Sequence, residues 1–132
     1  MHIQELTIST GQSIHFLTGS RMPDASEISA RGLVVADCDA KEIRSEQQLF
    51  AGVSQALQFP EWFGYNWDAF NDCLRDLEWL PGKGYVLILH DSKSFWTQAT
   101  DVAGNLVETW LFCTEYWQER KVPFHLIFLL DS

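Results

Sequence analysis

Positive charge is scarce in this sequence. The 132 residues include nine Lys and Arg against eighteen Asp and Glu, which gives a formal net charge of −9 at pH 7. Contacts from Lys and Arg to phosphates dominate the affinity of proteins for nucleic acids, and anionic membrane surfaces attract the same basic groups. The composition therefore argues against direct binding to nucleic acid or to a membrane surface. It suits a protein with a basic partner, or one that is simply soluble.

Long apolar runs and closely spaced cysteines are also missing. No apolar stretch approaches the ~18 residues of a membrane-spanning helix, and the N-terminus shows no basic segment followed by an apolar run, as a secretory signal would. Cys38, Cys73 and Cys113 are far apart, and no CxxC motif occurs. We interpret them as small core residues in a reducing compartment, which predicts a cytoplasmic protein without a zinc site.

The sequence lacks the motifs of common enzyme and cofactor-binding classes. It has no GxSxG, phosphate-binding loop, GxGxxG or HExxH pattern. His90 and Asp91 end a predicted strand, where an α/β enzyme would place chemistry, and His90 would approach His125 if their strands were neighbours. No nucleophile–base pair can be named, so we predict no catalysis, no cofactor and no metal. A small enzyme that uses His90, Asp91 and a carboxylate from residues 68–76 is the alternative.

Apolar patterns predict an alternation of strands and helices. Continuously apolar strands separated by helices are typical of a parallel sheet with right-handed crossovers. We therefore predict one α/β domain over residues 1–132, with a small three-stranded parallel sheet covered by helices. The predicted strands span residues 32–38, 85–90 and 124–130, and the predicted helices span residues 46–58, 67–79, 91–100 and 102–119.

The first 31 residues have a different pattern from the core at residues 32–132. Two short alternating runs flank Gly11, which predicts an added N-terminal β-hairpin. A loop follows, with one helical turn expected after Pro23. Further along, Ser45 and Gln48 have the spacing of a capping box at the start of a helix.

Residues 59–77 form the most informative stretch. Pro60 cannot continue the preceding helix, Gly64 can supply a positive φ for the turn, and Asn66 is a good N-cap for a new helix. The new helix has one apolar face at spacings i, i+3, i+7 and i+10, formed by Trp67, Phe70, Leu74 and Leu77.

A stripe of like charge lies on the same predicted helix. Asp68, Asp72 and Asp76 recur at i, i+4 and i+8, and such pairs cost a helix about 0.2–0.5 kcal/mol each. A face built for stability would place bases between the acids, yet Arg75 is the only base in residues 46–82. The stripe indicates a surface prepared for a cationic partner. A solvated face on an acidic protein is the alternative interpretation.

Four aromatic residues surround Gly64 within six positions. They could close the ends of the two helices, which we expect for Phe63 and Trp67. All four cannot point inward, so we expect Trp62 or Tyr65 to be exposed. Exposed aromatic rings beside unpaired acids are typical of anchors in protein interfaces.

The run from Pro60 to Leu74, PEWFGYNWDAFNDCL, closely resembles the signature of the barstar family of ribonuclease inhibitors. That signature reads Pro-Glu-aromatic-aromatic-Gly-x-Asn-x-Asp-Ala-x-x-Asp-x-Leu. The resemblance extends more loosely from about residue 32 to the C-terminus and does not cover residues 1–31. It implies a compact α/β domain with a small parallel sheet. It also implies a non-catalytic immunity protein that blocks a cytotoxic ribonuclease inside the producing cell.

The resemblance also implies roles for individual residues. Trp62 stands at a contacting aromatic, Gly64 and Asn66 shape the loop, and Asp68 and Asp72 are the inhibitory carboxylates. A further acidic contact would come from Glu115 or Glu119 on the last long helix. The predicted partner-binding residues are Trp62, Phe63, Gly64, Asn66, Trp67, Asp68, Asn71, Asp72, Arg75, Asp76 and Glu115.

Two positions depart from the family pattern. Asn71 stands where the founding member has a Trp, and Trp67 replaces an aliphatic residue. These departures leave the identity of the target ribonuclease open. We expect a protein that is monomeric when free, and a non-inhibitory interaction module of the same fold is the alternative.

Overall fold

The protein has an α/β fold, as predicted, and its structure is a computed structural model that describes residues 1–132. Two 3₁₀ turns, Ile3–Thr7 and Gly19–Arg21, lie before and after the first strand. The strands are β1 (Ile14–Leu17), β2 (Leu33–Asp39), β3 (Gly84–His90) and β4 (Phe124–Leu129). The helices are α1 (Ala25–Ala30), α2 (Glu46–Ala56), α3 (Trp67–Leu74), α4 (Lys93–Gln98) and α5 (Thr100–Glu119).

All four strands are parallel and follow the order β1-β4-β3-β2. The prediction of three strands was one too few, and the predicted N-terminal hairpin was wrong. Residues 3–7 form a 3₁₀ turn because Glu5 accepts a hydrogen bond from the His2 N–H (2.9 Å), while the buried Leu6 side chain anchors the turn. The second half of the expected hairpin instead pairs with β4, where its backbone groups find partners along a buried strand.

The two faces of the sheet have separate cores. Helices α2 to α5 cover one face, with side chains such as Leu87 and Leu126 from the central strands beneath them. The N-terminal residues cover the other face, where Leu6 and Ile28 pack on Val86. The larger core holds α3 in place, and α3 carries Asp68 and Asp72, two of the acidic residues identified in the sequence.

Helix α3 ends at Leu74, earlier than the predicted end near residue 79. The Nε1–H of Trp117 on α5 donates to the Leu74 carbonyl at 2.8 Å, in a buried position. Leu77 then adopts a positive φ of 54°, which turns the chain away from the helix axis. The Tyr85 hydroxyl donates to the Leu80 carbonyl at 2.8 Å and fixes the segment after the turn. Tertiary contacts of this kind override the helical pattern of the sequence.

A pair of histidines joins β1 to β4. The His125 Nε2–H donates to the Ile8 carbonyl (2.9 Å), so that its Nδ1 accepts from the Nε2–H of His15 at 3.0 Å. Burial, together with the neighbouring His125, lowers the pKa of His15 to about 4, although Glu5 acts in the opposite direction. Burial also lowers the pKa of His125, against the opposing effect of its bond to Ile8. The folded protein therefore favours two neutral rings.

The histidine pair predicts a loss of stability in mild acid. Between the unfolded-state pKa of 6.5 and the folded-state value of about 4 for His15, the unfolded chain binds more protons, so the free energy of unfolding falls as pH falls. We expect protonation of His15 to lower the free energy of unfolding by about 2 kcal/mol over this range. The value is smaller than the full pKa shift implies, because His15 is partly screened by solvent. Urea unfolding at a series of pH values measures it.

A matched pair of variants assigns the effect. His15→Gln should give a shallower fall in stability between pH 6.5 and pH 4, whereas His2→Gln, at an exposed histidine, should match the parent. Equal slopes in all three proteins would show that the pair contributes nothing to the acid sensitivity.

Candidate functional site

The loop between α2 and α3 is a tight turn that does not depend on glycine for its backbone conformation. The Phe63 N–H donates to the Pro60 carbonyl at 3.0 Å, and the positive φ (52°) falls on Tyr65 instead of the predicted Gly64. A Cβ atom at Gly64 would lie 3.3 Å from the side-chain nitrogen of Asn66. Gly64 is therefore needed for space beside the Asn66 side chain.

The aromatic residues of the loop divide into buried and exposed members. Phe63 is buried, with its ring edge-on to Phe50 and to Phe59 at centroid distances of 6.0 and 5.1 Å. Trp62 is 66 % exposed and Tyr65 is 45 % exposed. We expected at least one of these two rings to face solvent, and both do. Phe63, one of the predicted partner-binding residues, is positioned to hold the loop.

Hydrogen bonds fasten the loop and the start of α3 to α2. The Trp67 Nε1–H donates to the Glu46 carboxylate at 2.8 Å, and the Gln47 side-chain amide donates to the Tyr65 carbonyl at 3.1 Å. Asn66 is the N-cap of α3, as predicted, and its side-chain oxygen accepts from the Ala69 N–H at 2.8 Å. These bonds give the Tyr65 backbone and the first turn of α3 a fixed position.

Two of the three predicted acids lie on α3, and both are exposed. Asp68 is in the first turn of the helix, near the positive end of the helix dipole, and no basic side chain lies within salt-bridge distance of it. Asp72 follows one turn later. Asp76 lies beyond the end of α3, where it accepts a hydrogen bond from the Glu78 N–H at 3.3 Å. The stripe of three acids on one helix is therefore a pair on the helix and a third acid in the turn that follows.

Arg75 forms an intramolecular ion pair with Asp72 on the acidic surface. Its Nη2 lies 3.1 Å from Asp72 Oδ1, and its guanidinium carbon lies 5.4 Å from the centre of the Phe112 ring on α5. The Asp72 side chain is still 69 % exposed, and an exposed pair at i, i+3 contributes only about 0.2–1 kcal/mol. Asp72 therefore remains accessible to a stronger cation, although it is not unpaired.

Helix α5 adds residues beside this surface. Phe112, Glu115 and Glu119 are all exposed and follow the spacing i, i+3, i+7, so they share one side of the helix. Asn71 on α3 is half-buried, and its side-chain oxygen accepts from the Cys113 thiol at 3.4 Å. Sequence reasoning missed Phe112. The available signal was its position outside the apolar stripe of α5, because a large apolar residue off that stripe must face solvent.

The two histidines that could have met if their strands were neighbours do not come together. His90 lies at the end of β3 and bonds Asp37 of β2 at 2.6 Å and the carbonyl of Ser132 at 3.1 Å. His125 lies opposite Val86 in the sheet, away from His90, and its side chain is hydrogen-bonded to His15. The structure contains no group of three or more His, Cys, Asp or Glu side chains placed to hold a metal ion, and no helix is long and apolar enough to span a bilayer.

The fold and the surface together define a small α/β domain that presents acids and aromatic rings on a fixed helix and loop. A family model described as Barstar (barnase inhibitor) matches residues 33–129. The chain therefore belongs to the barstar family, which is a family of protein inhibitors. The match begins at the start of β2 and leaves β1 and α1 outside it. No curated protein shows significant sequence similarity to the chain.

The capping contact at the start of α3 should contribute measurably to the free energy of unfolding. Asn66→Ala removes the oxygen that accepts from Ala69 and should lower the free energy of unfolding by about 1 kcal/mol. Asn66→Asp keeps an acceptor there and should restore most of the loss, as urea unfolding would show. If Asp were as destabilising as Ala, the cap would not be what fixes this helix.

Proposed function

We propose that this protein inhibits a basic ribonuclease by placing the Asp68 and Asp72 carboxylates in the enzyme's phosphate-binding site. The single observation that carries the proposal is the exposure of both acids on a helix whose start and end are fixed by internal hydrogen bonds. Exposed Trp62 and Tyr65 lie on the adjoining loop. Family membership supports inhibition as the general role.

The charge of this surface suits such a target. Residues 46–82 hold six acids and only one base, Arg75. A ribonuclease holds the phosphates of its substrate with basic side chains, and carboxylates on a rigid surface can occupy the same positions. Opposite charge steers the encounter of the two proteins, and pairs that lose water in the complex slow its dissociation.

Rigidity of the surface supports tight binding. Ordering a flexible side chain or loop on binding costs affinity, and a surface already held in its bound form avoids that cost. Glu46 and Gln47 of α2 hold Trp67 and the Tyr65 backbone, and Phe63 fills the space beneath the loop. The exposed Trp62 ring then serves as an anchor of the kind that dominates protein interfaces.

The cysteines support a role in the cytoplasm. All three are free and buried. Burial raises the pKa of the Cys38 thiol to about 11 and that of the Cys113 thiol to about 12, so both stay protonated and unreactive at neutral pH. Free thiols are the usual state in a reducing compartment. An inhibitor held there would neutralise a toxic ribonuclease before it left the producing cell.

Inhibition of purified ribonucleases tests the proposal. The set should include barnase, which the family description names, and other basic ribonucleases. Against the enzyme that is inhibited, Asp72→Ala should raise the dissociation constant at least ~30-fold, mainly through faster dissociation, because a desolvated charge pair costs about 2 kcal/mol or more to break. Glu27→Ala, an exposed acid on α1 across the sheet, is the control and should bind as the parent does.

Arg75 requires a second comparison. Removing Asp72 also leaves the Arg75 charge unpaired next to a basic partner, so the double variant Asp72→Ala with Arg75→Ala separates the lost attraction from the new repulsion. Unchanged binding in both variants would show that α3 is not the inhibitory surface. Binding without inhibition would identify an interaction module of the same fold.

Asp76 should act differently from Asp72. It lies past the end of α3 and is exposed, so we expect Asp76→Asn to lower the association rate a few-fold at low salt and to leave the dissociation rate nearly unchanged. The difference should vanish near 1 M salt, where the Debye length is about 3 Å. Stopped-flow association at several salt concentrations measures it, and a faster dissociation would place Asp76 inside the interface.

A further inference from the structure

One part of the surface is free of formal charge. Residues 6–20 contain none of the nine basic and eighteen acidic residues of the chain. They include β1 and the segment that leads into it, and Ile8 and Phe16 in this stretch are 54 % and 52 % exposed. In a protein of net charge −9, this is where a second copy would meet the least repulsion.

Strand β1 forms an open edge of the sheet. The N–H groups of Leu126 and Leu130 donate to the carbonyls of Ser13 and Leu17. In a parallel ladder alternate residues face the same neighbour, so Ile14 and Phe16 direct their backbone N–H and carbonyl groups away from β4. Natural edges are commonly protected by Lys, Pro or a bulge. The sequence of β1, Ile-His-Phe-Leu, has no Lys or Pro.

An apolar groove runs between this edge and α5. It has a volume of about 500 Å³, and its walls come from Ile14 and Phe16 on one side and Val107 and Leu111 on the other. The two sides are joined by a buried hydrogen bond of 2.7 Å between the hydroxyls of Ser13 and Thr114. The groove therefore has a fixed shape, and Glu5 is the one charged residue that lines it.

We propose that β1 pairs antiparallel with β1 of a second copy, forming one continuous sheet across a twofold axis. With the axis at His15, Ile14 of each copy would exchange two hydrogen bonds with Phe16 of the other, which uses every outward-facing group of the strand. Ile14 and Phe16 lie on the same face of the sheet. A β-branched residue opposite an aromatic one is a favourable cross-strand pair.

This pairing leaves the acidic surface of α3 free. Val107 and Leu111 face the groove from one flank of α5, whereas Phe112 lies on the opposite flank, against Arg75. The proposed dimer would thus present two inhibitory surfaces. Because β1 is short and the contact is small, we expect dissociation in the micromolar range, so the monomer expected from the sequence would be the main form only at low concentration.

Sedimentation velocity of the purified protein, from micromolar to submillimolar concentrations, tests the pairing. The parent should shift from monomer to dimer, and Phe16→Lys should remain monomeric because it puts a charge at the edge. Phe112→Lys is the matched control: this ring is equally exposed, at 54 % against 52 % for Phe16, and its loss should leave the dimer intact.

A second variant guards against a folding effect. Phe16 stacks on Phe128 and packs near Trp96, so Phe16→Lys must be checked by circular dichroism. Ile8→Lys, at the end of the groove, alters no aromatic stack and should also weaken the dimer. Hydrogen exchange should show that the amides of Ile14 and Phe16 gain protection as concentration rises.

Three results would overturn the pairing. These are a parent that stays monomeric at every concentration, a dimer that survives both Lys variants, or a dimer without added protection at Ile14 and Phe16. A monomer that instead bound an apolar peptide in the groove would assign the edge to a different occupant. None of these outcomes bears on ribonuclease inhibition, which depends on α3.

Discussion

The burial of Phe63 is the contact on which the exposed surface depends. Its ring packs edge-on to Phe50 of α2 and lies 6.4 Å from Phe70 of α3, so one side chain joins the two helices at the turn between them. With that ring in the core, Trp62 just before it and Tyr65 two positions after it are exposed. Apolar burial of this kind is the main stabilising force in a small domain. Here it also determines which aromatic rings are left for a partner.

The acids are tolerated because other contacts hold the helix that carries them. Asp68 and Asp72 add repulsion on a helix of eight residues, which is too short to be stable alone. Asn66 caps its first turn, and the Nε1–H of Trp117 donates a buried hydrogen bond to the Leu74 carbonyl at its last turn. Stability therefore comes mainly from the core and the caps, while the outer face can hold charges that contribute little to folding. This separation lets a surface be selected for binding alone.

Much of the core could be predicted from the sequence, because apolar runs and capping residues are local signals. The strands at residues 33–39, 84–90 and 124–129 and the cap at Asn66 are of this kind. The errors arose where a distant contact decides the structure. Strand β1 depends on pairing with β4, over a hundred residues away, and the end of α3 depends on Trp117. The site residues on α3 are visible as a spacing, whereas Arg75 becomes a partner of Phe112 only in three dimensions.

The exposure of Trp62 has a practical consequence for spectroscopy. Of six tryptophans in the chain, it is the only one whose ring is mostly in solvent. An indole in water emits at longer wavelength and is readily quenched by dissolved iodide, whereas Trp110 and Trp117 in the core are shielded from both effects. The chain thus carries a native optical reporter on the same loop that precedes its acidic helix. Docking of any molecule over that loop would shift this emission without the need for an attached dye.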